Sequence, residues 1–353
     1  MATSGAPLRI ALCGLGFMGR THFGHLVKHP QVRVVALCDK NPDRRLGRWQ
    51  TTGNIGARDA ERVDLSPYRV SADPLDAARA DDVDVVVVTL PTPHHATAAV
   101  AALEAGKHVF CEKPMGRSLD ECDRMLAAAR ASGRTLMVGQ CIRFWPQYEV
   151  IRQQVEAGRI GRVQFATLRR LSNPPRFASD NWYMDHTLSG GALLDLHVHD
   201  VDYVADTFGT PTRIRAAGSR GPSGGIDHVL ATWDYDDGRY VTIEGGWSFH
   251  APFPFEMAIT VRGETGTLEW VLSRGPEVRV YDGAAEPELL TCPEGSGWTR
   301  EMDYLIECLR TGQPVTRCRP ETSRESIALA LLEREAVETG REMVLSEALG
   351  DGC

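Results

Sequence analysis

The first 140 residues alternate between short apolar, β-branched runs and segments with the periodicity of amphipathic helices. The run DVVVVTL at 84–90 is almost all valine, which is typical of a parallel strand covered on both faces. The segment 96–106 is rich in alanine and ends in a glycine suited to a helix C-terminus. Further strands are predicted at 8–13, 32–38, 108–111 and 135–138, and another helix at 118–132. This alternation predicts an α/β domain with a doubly wound parallel sheet of the Rossmann type.

Beyond about residue 140 the pattern changes to consecutive strands joined by turns, which predicts an α+β domain with an open, mostly antiparallel sheet. Asp236-Asp237-Gly238 reads as a hairpin turn between two of these strands. The predicted strands are 164–171, 213–217, 229–234, 240–247, 256–261 and 278–281. Helices at 147–157, 191–208 and 300–310 are expected to cover one face of the sheet. The final helix, 322–339, could pack on either domain. We therefore expect two domains, 1–142 and 143–353.

Composition and charge exclude several classes of protein. With 353 residues and 42% apolar content, the chain can bury two cores. Its formal net charge of −8 argues against a nucleic-acid partner, which would need a basic face. The N-terminus lacks a basic segment followed by an apolar one, and apolar runs such as Val85–Val88 are far too short to cross a bilayer. Nine cysteines without a C-x-x-C pair suit reduced thiols. We expect a cytoplasmic protein without a membrane partner.

A glycine motif, Gly14-Leu-Gly16-Phe17-Met18-Gly19, follows the first predicted strand and opens a predicted helix. In such a motif the first glycine allows a tight turn, the second lets the backbone approach a pyrophosphate, and the third lets helix and strand pack closely. The N-terminus of the helix offers N–H groups and a positive dipole end to phosphates. The strand–glycine–helix–strand order predicts a dinucleotide site.

Asp39 ends the second predicted strand, twenty residues after Gly19. An acid at that place can accept hydrogen bonds from the adenosine ribose, although it could also merely terminate the strand. Its charge would repel a ribose 2′-phosphate, so NAD is preferred over NADP as the cofactor. The neighbouring Lys40 weakens that preference.

Lys113 is one of only four lysines in the chain, whereas lysine and arginine together number 39. It lies between a glutamate and a proline in the segment HVFCEKPMG at 108–116. An ammonium group can hydrogen-bond a reacting hydroxyl and change its own pKa, and a guanidinium does this poorly. The alternative is an ordinary solvated lysine.

Asp195 and His199 lie four residues apart in the segment GGALLDLHVHDVD at 190–202. In a helix they would share a face, so the carboxylate could orient the imidazole as a general base. They could equally be an ordinary surface pair. A metal site that also used His197 and Asp200 is disfavoured, because His197 would point about 200° away from Asp195 on a helix. No metal is expected.

These segments, together with ATAAVAALEAGKHVFCEKP at 96–114, resemble the Gfo/Idh/MocA oxidoreductases, a family named for glucose–fructose oxidoreductase and inositol dehydrogenase. The resemblance runs from the first strand to the final helix. It implies an NAD(P)-binding Rossmann domain followed by a substrate-binding and oligomerisation domain. It further implies that Lys113 is the catalytic lysine, with Asp195 and His199 as its partners, and that the Lys113–Pro114 peptide bond is cis.

The resemblance also implies roles for residues outside the catalytic set. Glu112, Pro91 and His95 would border the cofactor with the glycine motif, Asp39 and Lys40, although His95 could be structural. Arg143 matches a recurring family arginine, with substrate contact and domain packing as equal alternatives. His197 stands where glycine is common and either lines the pocket or packs. Trp182, Tyr183 and Trp247 could wall a sugar ring or belong to the core.

The expected function is hydride transfer between a nicotinamide cofactor and a secondary alcohol or ketone of a sugar, cyclitol or related polyol. The alternative within the family is an NAD-dependent enzyme that cleaves glycosides through a transient keto-sugar. A nicotinamide-sensing binding protein is a further alternative. The loops 172–189 and 249–255 are expected to decide the substrate. The exposed sheet of the second domain predicts a homodimer or homotetramer.

Overall fold

A computed structural model describes residues 5–50, 60–175 and 179–348. By its internal contacts the chain divides into two compact units. The first holds the chain up to Gln140, a short segment ending at Trp182, and Trp298–Arg324; the second holds the remainder. No helix in the described ranges is long and apolar enough to span a membrane.

A six-stranded sheet forms the centre of the first unit, and all of its strand pairs are parallel. The strands of this unit are β1 (Leu8–Cys13), β2 (Val32–Cys38), β3 (Arg48–Gln50), β4 (Ala60–Arg62), β5 (Arg69–Ser71), β6 (Val85–Val88), β7 (His108–Glu112) and β8 (Leu136–Gly139). The sheet order is β5-β2-β1-β6-β7-β8, while β3 and β4 form a separate hairpin. Because β6 consists of four buried valines, it is covered on both faces, and the predicted doubly wound sheet is confirmed.

Among the described residues before 140, five α-helices belong to this unit, and capping residues in the sequence set the ends of two of them. They are α1 (Phe17–Leu26), α2 (Pro42–Arg45), α3 (Pro74–Arg79), α4 (His95–Glu104) and α5 (Leu119–Ser132). Asp73 caps α3 by accepting a hydrogen bond from the Leu75 N–H, and Ser118 caps α5 in the same way. Gly133 ends α5 with a φ of 64°, a left-handed conformation that glycine adopts without a Cβ clash.

The second unit is built on a nine-stranded sheet that is antiparallel except where β9 and β12 pair in parallel. Its helices and strands between residues 146 and 290 are α6 (Pro146–Glu156), β9 (Val163–Leu171), α7 (His186–Ser189), α8 (Val198–Phe208), β10 (Arg213–Arg220), β11 (Ile226–Asp234), β12 (Tyr240–Gly246), β13 (Glu256–Gly263), β14 (Thr267–Val271), β15 (Val278–Tyr281) and β16 (Glu288–Leu290). The sheet order is β16-β15-β14-β13-β9-β12-β11-β10, and the short edge strand β17 (Met343–Val344) completes it. The predicted, mostly antiparallel α+β fold is confirmed.

The remaining helices are α9 (Gly297–Thr311), α10 (Pro320–Thr339) and α11 (Leu345–Ala348). The sequence placed the helix near 300–310 over the antiparallel sheet, but α9 belongs to the first unit from Trp298 onward. There Asp303 accepts a hydrogen bond from His25, and Arg310 donates to the backbone carbonyls of Gly5 and Ala6. Amphipathic periodicity predicts that a helix buries one face, but it does not specify which domain covers that face.

Two buried ion pairs hold α8 to the sheet strand β9 and to the turn before α6. Arg170 on β9 makes a bidentate pair with Asp200 on α8, with N–O distances of 2.9 and 2.7 Å. Arg143, just before α6, makes a bidentate pair with Asp202, with both N–O distances 2.7 Å. All eight cysteines in the described part of the chain are free thiols.

Candidate active site

The glycine motif forms the turn between β1 and α1, and two of its glycines are required by the protein itself. Gly14 has a φ of 102°, and a Cβ there would lie 2.5 Å from the carbonyl oxygen of Thr89. A Cβ on Gly19 would collide with the carbonyl oxygen of Gly14. The first glycine therefore allows the turn and the third allows the close approach of helix and strand.

Gly16 is different, because nothing in the protein requires it to be glycine. Its φ of −74° is available to any residue, and the nearest atom to an added Cβ is a guanidinium nitrogen of Arg44, 3.8 Å away. As the N-cap of α1 it also brings no side chain to the first-turn N–H groups. The space at Gly16 thus fits a dinucleotide pyrophosphate, with Phe17 and Met18 beginning the helix behind it.

Asp39 lies at this turn, as the motif requires. Its side chain is 4% exposed and accepts hydrogen bonds from the backbone N–H groups of Leu15 (2.7 Å) and Asn41 (2.8 Å). Arg44 Nη1 lies 3.2 Å from its Oδ2. Lys40 is exposed, and its carbonyl oxygen accepts a hydrogen bond from Arg45. The carboxylate is therefore oriented by backbone donors beside the space at Gly16.

Arg44 is a residue of this site that sequence reasoning missed. It contacts Asp39 and lies closest to the space at Gly16. The sequence did contain a signal for this residue, the helix start Asn41-Pro-Asp-Arg-Arg45. Asn41 caps α2 by accepting hydrogen bonds from the backbone N–H groups of Asp43 and Arg44, and this places Arg44 in the first turn.

His95 links two loops at the carboxyl ends of β6 and β7. Its ring is 1% exposed, with Nδ1 2.9 Å from the carbonyl oxygen of Pro114 and Nε2 2.8 Å from that of Leu90. Burial lowers the pKa of His95, while the two carbonyl contacts oppose that shift. Pro91 directly follows Leu90, so this histidine holds the Pro91 segment to the segment that carries Lys113.

Lys113 is half-buried directly after β7, and the Lys113–Pro114 peptide bond is cis, as the resemblance implied. Its backbone N–H donates to Oε2 of Glu112 at 3.2 Å. Glu112 is 5% exposed, and its Oε1 lies 2.7 Å from Nε2 of His22. The Glu112 carboxylate is therefore held between the His22 ring and the Lys113 backbone.

Asp195 and His199 are the two positions of the helical segment 191–204 that are partly exposed; the other residues of that segment are buried. Residues Leu193–His197 form a π-helical turn that continues into α8. Such turns often occur at functional sites. Asp195 and His199 are thus the two polar side chains of this segment that are not buried.

The neighbouring histidine and aspartates face other partners. His197 is fully buried, and its Nε2 lies 2.6 Å from Oε2 of Glu333. A Cβ on Gly245 would lie 2.5 Å from its Nδ1, so the sheet packs tightly against this ring. Asp200 is paired with Arg170. These contacts turn His197 and Asp200 away from Asp195 and give each a structural partner.

The remaining candidates also have protein partners. Arg143 is 3% exposed and engaged by Asp202 and Asp206, which is a packing environment. Tyr183 packs edge-on against the buried Trp247, with ring centroids 6.3 Å apart, beside Ala192 and Leu196. The half-buried Trp182 is grouped with the first unit. Residues 176–178 of the loop 172–189 lie outside the described residues.

Comparisons with known proteins agree with both units. The profile of an oxidoreductase family with an NAD-binding Rossmann fold matches residues 8–140. The profile of the GFO/IDH/MocA C-terminal domain matches residues 148–269.

Among curated proteins, the chain is 32% identical to inositol 2-dehydrogenase of Rhodococcus erythropolis, over 86% of this chain and 84% of the relative. It is 26% identical to myo-inositol 2-dehydrogenase of Thermotoga maritima, over 97% of this chain and 100% of the relative. Among solved structures, levoglucosan dehydrogenase in complex with NADH and levoglucosan superimposes with a TM-score of 0.80 at 20% identity, over 96% of this chain and 99% of that chain. At that identity the likeness shows the fold alone. The two family profiles and the relatives together show that this chain belongs to the Gfo/Idh/MocA family of NAD-binding oxidoreductases.

Proposed function

We propose that this oxidoreductase transfers a hydride between NAD and a ring carbon that bears a secondary hydroxyl, in a cyclitol, sugar or related polyol. The observation that carries the proposal is the exposure pattern of residues 191–204, where Asp195 and His199 are the two partly exposed positions. An acid and an imidazole that stay partly exposed within an otherwise buried helical segment support a role beyond packing. The curated relatives named as inositol 2-dehydrogenases support a cyclitol as the substrate class.

In this proposal the chain's own residues remove the proton of the substrate hydroxyl and hydrogen-bond its oxygen. His199, oriented by Asp195, takes the proton of the substrate hydroxyl as a general base. Lys113 donates a hydrogen bond to the same oxygen and stabilises the negative charge that develops there. When bound, the nicotinamide cofactor supplies the hydride acceptor at the substrate carbon.

The space at Gly16 and the N–H groups at the start of α1 would hold the pyrophosphate. Asp39 would accept hydrogen bonds from the adenosine ribose, and its charge favours NAD over NADP. Phe17, Met18, Lys40, Pro91, His95 and Glu112 would border the cofactor. Tyr183 and Trp182 would offer apolar surface to a sugar or cyclitol ring, while Arg143 and His197 would support the helices from within. We further propose that the exposed face of the nine-stranded sheet supports self-association.

The test is a screen of NAD and NADP reduction against inositols, aldoses and anhydro-sugars, with purified variants beside the wild-type protein. Lys113→Ala and His199→Asn should each lower kcat by about 10²–10⁴-fold, while the NAD Kd from fluorescence titration stays within about threefold. Lys28→Ala is the matched lysine control, because Lys28 is exposed. His228→Asn is the matched histidine control, since His228 pairs with Glu244 at 3.1 Å on the sheet.

Full turnover in Lys113→Ala or His199→Asn would refute the assigned roles. Glycoside cleavage without net NADH formation would instead identify the glycoside-cleaving alternative.

A further inference from the structure

Three buried ionisable side chains meet within the first unit: His22 on α1, Glu112 at the end of β7, and Glu301 on α9. One ligand-type atom from each lies within 4.8 Å of the others. Their exposed fractions are 1%, 5% and 0%, respectively. A buried cluster with two carboxylates must either neutralise one of them or contain a compensating cation.

Glu112 has hydrogen-bond donors of its own. His22 Nε2 lies 2.7 Å from its Oε1, and the Lys113 N–H donates to its Oε2 at 3.2 Å. The His22 ring is held in place by an edge-on contact with Phe110. With two donors directed at it, Glu112 is the member of the cluster that can carry the negative charge. Each of its oxygens can still accept a further hydrogen bond.

Glu301 has no such support. Both of its carboxyl oxygens are buried, and no hydrogen-bond donor among the described residues reaches either of them. Burial, together with the charge of Glu112, raises the pKa of Glu301 well above its ordinary value. A protonated carboxyl group is a donor that needs an acceptor, and Glu112 supplies the acceptor oxygens of this cluster.

We propose that Glu301 is a positioning residue that stays protonated, donates a hydrogen bond to Glu112, and thereby fixes Glu112 where it holds the Lys113 backbone. The cluster is closed on its other side by Gly139, where an added Cβ would lie 3.5 Å from the Glu112 carboxyl carbon and 2.8 Å from Phe110. Glu112 therefore has little room to move, and an ionised Glu301 would push it away from the Lys113 N–H. The catalytic part of this inference rests on the role proposed for Lys113.

A divalent cation bound by the three side chains is the competing explanation. Its histidine and two carboxylates are suitable ligands. The short contact between His22 and Glu112 argues against it, because a cation would need the two atoms that are joined by that hydrogen bond.

Infrared spectroscopy tests the proton directly. The wild-type protein should show the carbonyl stretch of a protonated carboxyl group, shifted in D₂O, and Glu301→Gln should remove it. Glu333→Gln is the matched control: Glu333 is also fully buried, but it accepts from Trp233 Nε1 at 2.7 Å and contacts His197 at 2.6 Å. That substitution should leave the band that Glu301→Gln removes unchanged.

Hydrogen exchange tests the positioning without reference to catalysis. In Glu301→Leu, the Lys113 amide should exchange at least about tenfold faster than in the wild type, because Glu112 loses a partner. In Glu301→Gln, whose amide can still donate, exchange should stay within about twofold of the wild type. With a substrate from the polyol screen, Glu301→Leu should lower kcat by about 10–100-fold at an unchanged NAD Kd, and Glu301→Gln should largely restore it.

Two results would overturn the inference. One is a wild-type spectrum without the band that Glu301→Gln removes. The other is a stoichiometric metal found by mass spectrometry in the wild-type protein and lost in Glu301→Gln. If no polyol is oxidised, the proposed function fails, whereas the spectra and the exchange rates still decide the role of Glu301.

Discussion

Arg143 allows the sharpest test of how the second unit is held together. Its side chain is 2% exposed and makes two N–O contacts of 2.7 Å with Asp202 and one of 2.8 Å with Asp206. Asp202 is 1% exposed. If Arg143 is truncated to alanine, the nearest donor left to Asp202 is the Ser326 hydroxyl, 2.8 Å away. The perturbation therefore leaves a buried carboxylate almost uncompensated.

The magnitude follows from that burial. Removing one partner of a buried, hydrogen-bonded ion pair destabilises a protein by about 3–5 kcal/mol. The matched control is Arg152→Ala, which also removes an arginine that faces Asp206. The Arg152 side chain is 23% exposed, and its nearest carboxylate oxygens are 3.8 and 3.9 Å away, on Glu156 and Asp206. Such a pair contributes less than about 1 kcal/mol.

The assay is the free energy of opening of α8, measured by amide hydrogen exchange, so that the second unit is followed separately from the first. Arg143→Ala should lower this free energy by about 3–5 kcal/mol, and Arg152→Ala by less than about 1 kcal/mol. The double variant Arg143→Met, Asp202→Leu should be more stable than Arg143→Ala, because it leaves no unpaired carboxylate at the buried position 202. Equal effects of Arg143→Ala and Arg152→Ala would refute the reasoning. So would a substrate KM that rises in Arg143→Ala without any loss of stability.

Three further predictions concern the first unit. Gly16→Val should leave the unfolding temperature almost unchanged but weaken NAD binding at least about tenfold by calorimetry, since it fills space that no protein atom needs. The control Gly24→Ala, where nothing lies within 4 Å of an added Cβ, should leave NAD binding unchanged and should not lower the unfolding temperature, because alanine favours a helix more than glycine does. Gly19→Ala should destabilise the unit as well as abolish binding, because its Cβ would collide with Gly14; a fully stable variant would contradict this packing. Because the folded-state pKa of Glu301 lies above its ordinary value of 4.5, its contribution to stability is complete below that pH and is lost as pH rises towards the raised value. In urea unfolding, the free energy of unfolding of Glu301→Gln should therefore rise relative to that of the wild type by at most about 1.4 kcal/mol per pH unit above pH 4.5. A difference between the two free energies that does not change with pH would count against a protonated Glu301.

Local rules predicted most of the fold because they act over short stretches of chain. The valine run, the glycine turn and the Ser118 cap each determine their own element, and the structure has those elements at the expected places. The parallel pairing of β9 with β12 could not be predicted in this way. It brings Leu168 beside Ile243 across a long intervening segment, and strand periodicity carries no information about such partners.

The candidate site shows the same division between local and distant information. Spacing alone predicted that Asp195 and His199 share a face, and the structure adds that both are partly exposed among buried neighbours. Spacing could not show that His197 faces Glu333, which lies far along the chain in α10. Nor could it show that Glu301 lies beside Glu112, since that contact depends on where α9 packs.

The placement of α9 in the first unit has a consequence for synthesis and engineering. The polypeptide leaves the ribosome N-terminus first, yet Glu301, Asp303 and Arg310 are translated only after strands β9 to β16 of the second unit. Until then, the nascent Rossmann fold has His22 and Glu112 without the helix that buries them. A gene fragment that stops at residue 142 would make that unfinished state permanent, so a domain graft from this protein should carry 298–324 as a second insert.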